Sequence, residues 1–338
     1  MTGSPFIQRE RNSVQRTMFK VLLALIPGVA AHMLFFGPGI WVSLILCSLL
    51  GLALEAGMLT LRRYPLRPFL SDGSVLVTAW LLALSLPTLA PWWLYTVGMV
   101  FAVVVAKHMY GGLGQNPFNP AMVGYAVLIV SFPVQMTHWP GLIGHVPHTP
   151  DFLESFMVVF AGPGNLPDAY TMATPLDDLK TQIRSGKTLL DSLGMPIGAN
   201  GQMVAIMFLF GGIALMIKRI ITWHAPVAFL LALACTAWVL QMLDPGHHAG
   251  PIFHLLYGGA MLGAFFIATD PVSGCSTPLG KLIFAGLAGF LTVIIRTYGN
   301  YPDGVAFAIL LMNIAAPFID AYTQPRVFGH RRGKRRQP

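Results

Sequence analysis

Residues 17–36 read TMFKVLLALIPGVAAHMLFF, and after Gly37-Pro38 residues 39–61 read GIWVSLILCSLLGLALEAGMLTL. Each run is long enough for a membrane-spanning helix, which needs about 20 apolar residues to cross a hydrocarbon core of about 30 Å. A cleaved secretory leader has an apolar core of about 7–15 residues and a small-residue cleavage site. The first run is longer than that and flows almost directly into the second, so it reads as an uncleaved first span. Ahead of it lies a polar segment carrying Arg9, Arg11 and Arg16.

The rest of the chain has the same character. Of its 338 residues 55% are apolar and 10% charged, and the mean hydropathy is +0.65, whereas a soluble domain carries roughly 25% charged residues. Such a chain cannot clothe a water-facing surface. Collagenous, disordered and disulfide-framework classes fall with the same numbers. Cys47, Cys235 and Cys275 lie far apart, so neither a zinc nor an iron–sulfur site is expected from this chain alone. The net charge of +8 sits in short runs between apolar segments; it is a topology signal, and no nucleic-acid partner is expected.

The expected fold is an all-α integral membrane protein of about ten transmembrane helices: 17–36, 39–61, 72–90, 91–110, 119–135, 200–217, 221–243, 251–270, 278–296 and 304–322. The fifth is short. The third and eighth begin near Gly73 and Gly258-Gly259, where a helix is open to interruption. The expected organisation is a cytoplasmic segment 1–16, a first membrane unit 17–135, a loop 136–199, a second unit 200–322 and a basic tail 323–338.

Orientation follows from Lys and Arg, which concentrate on the cytoplasmic side. With a cytoplasmic N-terminus, that side collects Arg9, Arg11, Arg16 and Lys20, then Arg62, Arg63, Arg67, Lys107, Lys218, Arg219 and Lys281, and the tail from Arg326 to Arg336. These are seventeen of the twenty-one basic residues; Lys180, Arg184, Lys187 and Arg296 remain on the other side. Both termini are therefore expected in the cytoplasm of a bacterial inner membrane, with the loop outside it.

An internal repeat shows at one offset of 184 residues: Leu86-Pro87 against Asp270-Pro271, Asn119-Pro120 against Asp303-Gly304, Pro133 against Pro317, and Gly28 against Gly212. Five spans per unit would turn the second unit upside down, and inverted repeats place ligand sites at their interface, at broken helices. The plainer alternative is that Pro and Gly merely punctuate loop ends.

Ionisable residues within apolar runs are functional suspects. Glu55 is a candidate for ion or proton handling, or else a helix-end acid that reaches interfacial water; Asp320 reads as the latter. His32, His224 and His254 read as core or interface histidines rather than haem ligands. The stretch from Gly111 to Pro120, GGLGQNPFNP, is neither a Walker loop, lacking the Gly-Lys-Ser/Thr, nor a dinucleotide fingerprint. It offers non-helical backbone feeding a helix N-terminus, suited to an anionic ligand or to a plain re-entrant turn.

Gly111 to Pro133 with Val134-Gln135-Met136-Thr137, Gly259 to Phe266, and Tyr301 to Ala308 resemble the D subunit of the Rnf electron-transport complex, a relative of the B subunit of the sodium-translocating NADH:quinone oxidoreductase. The resemblance runs nearly end to end. It implies FMN joined by a phosphoester to a threonine in the motif Asp-x-x-(Ser/Thr)-Gly-Ala-(Thr/Ser). Asp168, Thr171, Ala173 and Thr174 fit, Met172 replaces the glycine, and Thr174 is the implied acceptor. Asp270 to Ser276 fits the general pattern and keeps the glycine, but Ser276 is expected in a cytoplasmic turn, whereas the family's flavin transferase acts outside.

The resemblance also implies a noncovalent flavin such as riboflavin toward the cytoplasmic side, where the asparagine-proline turn and Asp270 are expected. It implies partners as well: the other Rnf subunits, a second covalent-flavin subunit among them, and the flavin transferase. The function implied is electron relay between ferredoxin and NAD-linked partners, coupled to movement of Na+ or H+. Two other classes stay open. A solute channel or transporter of inverted-repeat fold would give a dark band in denaturing gels viewed for flavin fluorescence. A cofactor-free scaffold would purify without flavin from a complex that still transfers electrons.

Overall fold

The computed structural model describes residues 5–143, 146, 149–161, 171–188, 199–301 and 303–325; side chains are described from residue 14 and, in the second unit, from residue 201. Helix α1 (Pro5–Phe36) is followed by α2 (Gly39–Leu61), the short α3 (Leu66–Leu70), α4 (Ser74–Ser85) and α5 (Trp92–Met99), which widens into a π-helical segment, Val100–His108. Then come α6 (Pro120–Ser131) and α7 (Pro133–Thr137). Between the membrane units lie β1 (Trp139–Pro140), α8 (Phe152–Ala161), β2 (Thr171–Met172) and α9 (Pro175–Arg184). The second unit holds α10 (Ala199–Ile217), α11 (His224–Leu243), α12 (Pro251–Leu256), α13 (Ala260–Leu262, running into a π turn, Gly263–Ile267), α14 (Pro278–Tyr298) and α15 (Val305–Thr323).

Among the described residues, five helices are long and apolar enough to cross a membrane: Val14–Phe36, Gly39–Leu61, His224–Leu243, Pro278–Tyr298 and Val305–Thr323. The remaining expected spans are shorter. The third is α4 alone, which starts after Gly73 (φ +76°), with the short α3 lying ahead of the expected span, and the eighth is α12 and α13 separated at Gly258, whose φ is +73°. Both values lie in the left-handed region that a side chain disfavours. At membrane depth such backbone is tolerated only where it is buried in protein or lines a cavity.

The order of helices repeats at the sequence offset. Shifted by 184 residues, α2 through α6 fall in turn on α11 through α15, broken helix on broken helix, and Gly28 of α1 falls on Gly212 of α10. Were each unit to cross the membrane five times, the second would lie inverted relative to the first. One core joins the units: α1 lies against α10, α11 against α14, α14 against α15, and α6 against α15. Local chemistry starts several helices in the same way. Asn119 caps α6 by accepting from Met122 N at 3.2 Å, Thr277 caps α14 by accepting from Gly280 N at 2.9 Å, and each cap is followed by a proline, whose missing N–H is no loss at the first helical position.

Candidate functional site

Thr174 sits at the start of α9, outside every long helix. Antiparallel pairing of Trp139 with Met172 and of Pro140 with Thr171 brings the chain to this point. Thr174 is the cap of α9: its Oγ1 accepts from Asp177 N at 3.2 Å, and Pro175 is the first helical residue. The hydroxyl belongs to a half-buried residue on a loop. A phosphoester here would stand at a helix N-terminus, a place that favours anions, opposed by the acidic first turn of Asp177 and Asp178.

The α9 helix is firmly seated. Leu176 and Leu179 form a buried cluster with Ala249, Phe253 and Tyr257. Lys180 Nζ donates to the Tyr301 carbonyl at 2.9 Å, and Arg184 Nη2 donates to Asn300 Oδ1 at 3.0 Å. Burial, followed by the charge of Arg184, holds the Lys180 ammonium below the usual lysine range. A cavity of about 140 Å³ opens beside α9, with Lys180, Arg184, His248, Phe253 and Tyr298 in its wall. Beneath α9 lies the break at Gly258: a Cβ there would run into Leu176 Cδ1, and would lie 2.7 Å from Arg296 Nη2 and 2.8 Å from Asp303 Oδ2.

Arg296, which is buried, pairs with the half-buried Asp303, Nε to Oδ1 at 2.9 Å and Nη2 to Oδ2 at 3.2 Å. Asp303 Oδ2 also accepts from Gly259 N at 2.7 Å, and Arg296 Nη1 donates to the His254 carbonyl at 2.7 Å. The pair thus ties both halves of the broken α12–α13 helix to the start of α15.

A second ion pair serves the break of the first unit. Lys107 Nζ reaches both oxygens of Glu55 at 2.9 Å and Ser74 Oγ, at the start of α4, at 3.0 Å. His108 Nε2 lies 3.2 Å from Glu55 Oε2. Glu55 is therefore no helix-end acid at water. It is 2% exposed, as is Lys107. Lys107 and Arg296 correspondingly leave the tally of loop charges, one from each side, and the asymmetry of the rest stands.

The asparagine-proline turn and Asp270 meet at the interface of the two units. Asn119 N donates to Asn313 Oδ1 at 3.0 Å, Asn119 Nδ2 to Asp270 Oδ2 at 3.4 Å, Ser273 Oγ to the same oxygen at 2.7 Å, and Asn313 Nδ2 to the Ser273 carbonyl at 2.9 Å. Asn313 had no signal in the sequence beyond being a polar residue in an apolar run. Asp270 also lines a cavity of about 140 Å³ with Thr269, Lys281 and Ser276.

Asp168 lies outside the described residues. Ser276, the competing acceptor, is committed to Asp320, which accepts from its Oγ and its N at 2.9 Å; Asp320 thereby caps the turn leading into α14. His32 and His254 are buried, each with an unpartnered Nδ1, and His224 stacks on Trp223 at 4.2 Å. Among the described residues no three His, Cys, Asp or Glu side chains group as a metal site.

Helices of spanning length, two broken helices and polar clusters buried between them define a multi-pass helical membrane protein. The description "NQR2, RnfD, RnfE family" belongs to the family model that matches residues 1–329. The chain is 48% identical to the D subunit of the ion-translocating oxidoreductase complex of Yersinia pseudotuberculosis, over 98% of this chain and 99% of the relative. It is 46% identical to the protein of that name from Erwinia tasmaniensis, over 99% of each chain, and 47% identical to that of Escherichia fergusonii, over 98% of this chain and 99% of the relative. The chain belongs to the NQR2, RnfD, RnfE family.

Proposed function

We propose that this chain is the D-type membrane subunit of an ion-translocating oxidoreductase complex of Rnf type, and that it carries FMN as a phosphoester on Thr174. The observation that carries the reading is the place of Thr174: a threonine hydroxyl capping a firmly seated helix on the loop between the membrane units. Near full-length similarity to proteins named as the D subunit of such a complex supports the larger role.

The bound flavin would supply reversible electron transfer. The chain's own part is to hold that group in one place. Thr174 supplies the ester oxygen, Leu176 and Leu179 fix α9 against α12, and Lys180 and Arg184 tie it to the 299–301 turn. The protein is one relay within a larger assembly of the inner membrane, between ferredoxin and NAD-linked partners, with electron flow coupled to Na+ or H+ movement. Both termini face the cytoplasm and the α9 loop faces outward, where a flavin transferase can reach it. Riboflavin is the proposed noncovalent flavin of the cytoplasmic half, and the Asn119–Asp270–Ser273 cluster with its adjoining cavity is its proposed neighbourhood.

The experiment is flavin fluorescence of the denatured protein in a gel, from cells with an active flavin transferase. A fluorescent band lost in Thr174→Val and retained in Ser276→Ala is expected. A dark band for the parent chain would overturn the covalent assignment.

A further inference from the structure

We infer that α8 lies in the plane of the membrane, at the boundary where α1 ends and α2 begins, with one face immersed in lipid acyl chains. At ten residues it is about 15 Å long, half the thickness of the hydrocarbon core, so it is no span. Its position is set by three contacts. Ile143 N, upstream, donates to the carbonyl of Phe35 in the last turn of α1 at 2.9 Å. The Pro150 carbonyl lies 3.7 Å from the Cβ position of Gly37, and Ser155 Oγ lies 3.4 Å from that of Gly39, the first residue of α2. The helix therefore begins where the chain leaves one spanning helix and enters the next.

Its two faces differ sharply. Ser155, Val158 and Val159 are buried. Phe152, Leu153, Phe156, Met157 and Phe160 fall within one arc of the helix and are between 42% and 64% exposed. Its one charged side chain, Glu154, is turned back to the helix start: Glu154 N donates to Asp151 Oδ1 at 2.8 Å, and Glu154 Oε2 accepts from Asp151 N at 3.0 Å, a reciprocal cap. Five large apolar side chains on one short helix make a surface that water does not tolerate without a partner.

Lipid is the occupant that the position favours. The helix adjoins the junction of α1 and α2, two helices of spanning length that expose large apolar side chains of their own, Leu34 at 66% and Ile45 at 49%. Interfacial helices bind by apolar burial plus attraction of Lys and Arg to anionic lipid. With no Lys or Arg on α8, its seating depends on acyl chains alone and is indifferent to headgroup charge.

The test places a nitroxide at Met157→Cys in full-length protein lacking Cys235 (Cys235→Ser), reconstituted in phosphatidylcholine vesicles. Collisions with oxygen, which prefers lipid, are compared with collisions with a water-soluble nickel chelate. Labels at Leu49→Cys on α2 and Thr181→Cys on α9 serve as the lipid and water references, and Leu153→Cys gives a second reading on the same face. The expected result is an oxygen-to-nickel ratio at 157 and 153 several-fold above that at 181 and close to that at 49, unchanged when phosphatidylglycerol is added and retained in the complete complex. Nickel access equal to that at 181 would overturn the proposal. So would loss of collisions with both reagents on assembly of the complex, which would show a protein partner covering the face.

Discussion

Lys107 Nζ stands 2.9 Å from both carboxylate oxygens of Glu55, a residue 52 positions away on another helix, and the two are almost wholly buried. A lone charge at that depth is very costly, whereas a matched and hydrogen-bonded pair is tolerated. Through Ser74 the pair also holds the start of α4, just past the break at Gly73. Arg296 and Asp303 do the corresponding work at Gly258 and Gly259 in the second unit.

Removing one partner should therefore cost more than removing both. Lys107→Met is expected to destabilise the protein by about 3–5 kcal/mol, and Lys107→Met with Glu55→Gln to recover much of that loss. Thermal melting in detergent measures both. Equal loss in the single and double variants would show that the ion pair is not what the single substitution breaks.

Glu55→Gln also tests ion handling. If Glu55 serves the coupling ion, the substitution impairs ion transport by the complex more than it impairs flavin incorporation. Unchanged transport across a range of ion concentrations would leave Glu55 with a structural role only, as the partner of Lys107 and His108.

Gly258→Ala should loosen the seat of α9. Left-handed backbone costs a residue with a Cβ about 1–2 kcal/mol, and the added carbon would press on Leu176, Arg296 and Asp303. A lowered melting temperature is expected, with faster proteolytic cutting near α9. Melting and cutting rates equal to those of the parent would show that the break accommodates a side chain.

Thr174→Ser should retain some covalent FMN, because a primary hydroxyl still forms the ester and still caps a helix. Thr174→Val should retain none. The valine removes a cap that accepts from Asp177 N, at a cost of about 1 kcal/mol, too little to prevent folding or insertion. Ser276→Ala should leave labelling unchanged. Mass spectrometry of the peptide containing Thr174 decides the matter: an unmodified peptide in active, flavin-replete complex would sink the assignment, and modified Ser276 would identify the competing site.

A topology reporter fused after Pro338 is expected to be active in the cytoplasm, and one inserted at Gly164 active outside. The reverse pattern would overturn the orientation and, with it, the topological argument against Ser276.

Membrane class and helical content were legible in composition and in the lengths of apolar runs, because hydropathy acts residue by residue and needs no knowledge of packing. The breaks were legible too, since glycine at Gly73 and Gly258 relaxes a local backbone preference. The repeat offset was visible in a few Pro and Gly positions, and the match of helix to helix filled it in. The roles of Lys107 and Glu55 were not legible. Beside Gly111-Gly112, Lys107 reads as a loop charge, yet the π-helical segment extends to His108 and carries Lys107 inward. Arg296 likewise reads as a helix-end cation until Asp303 and the His254 carbonyl close on it. Asn313 meets Asn119 across 194 residues, and Leu176 of the loop rests on the break of a helix that begins far along the chain. Charge neutralisation and close packing at depth depend on which segments come together in space: the two ion pairs were decided by the folding of each unit on itself, and the Asn119–Asn313 contact only when the two units met.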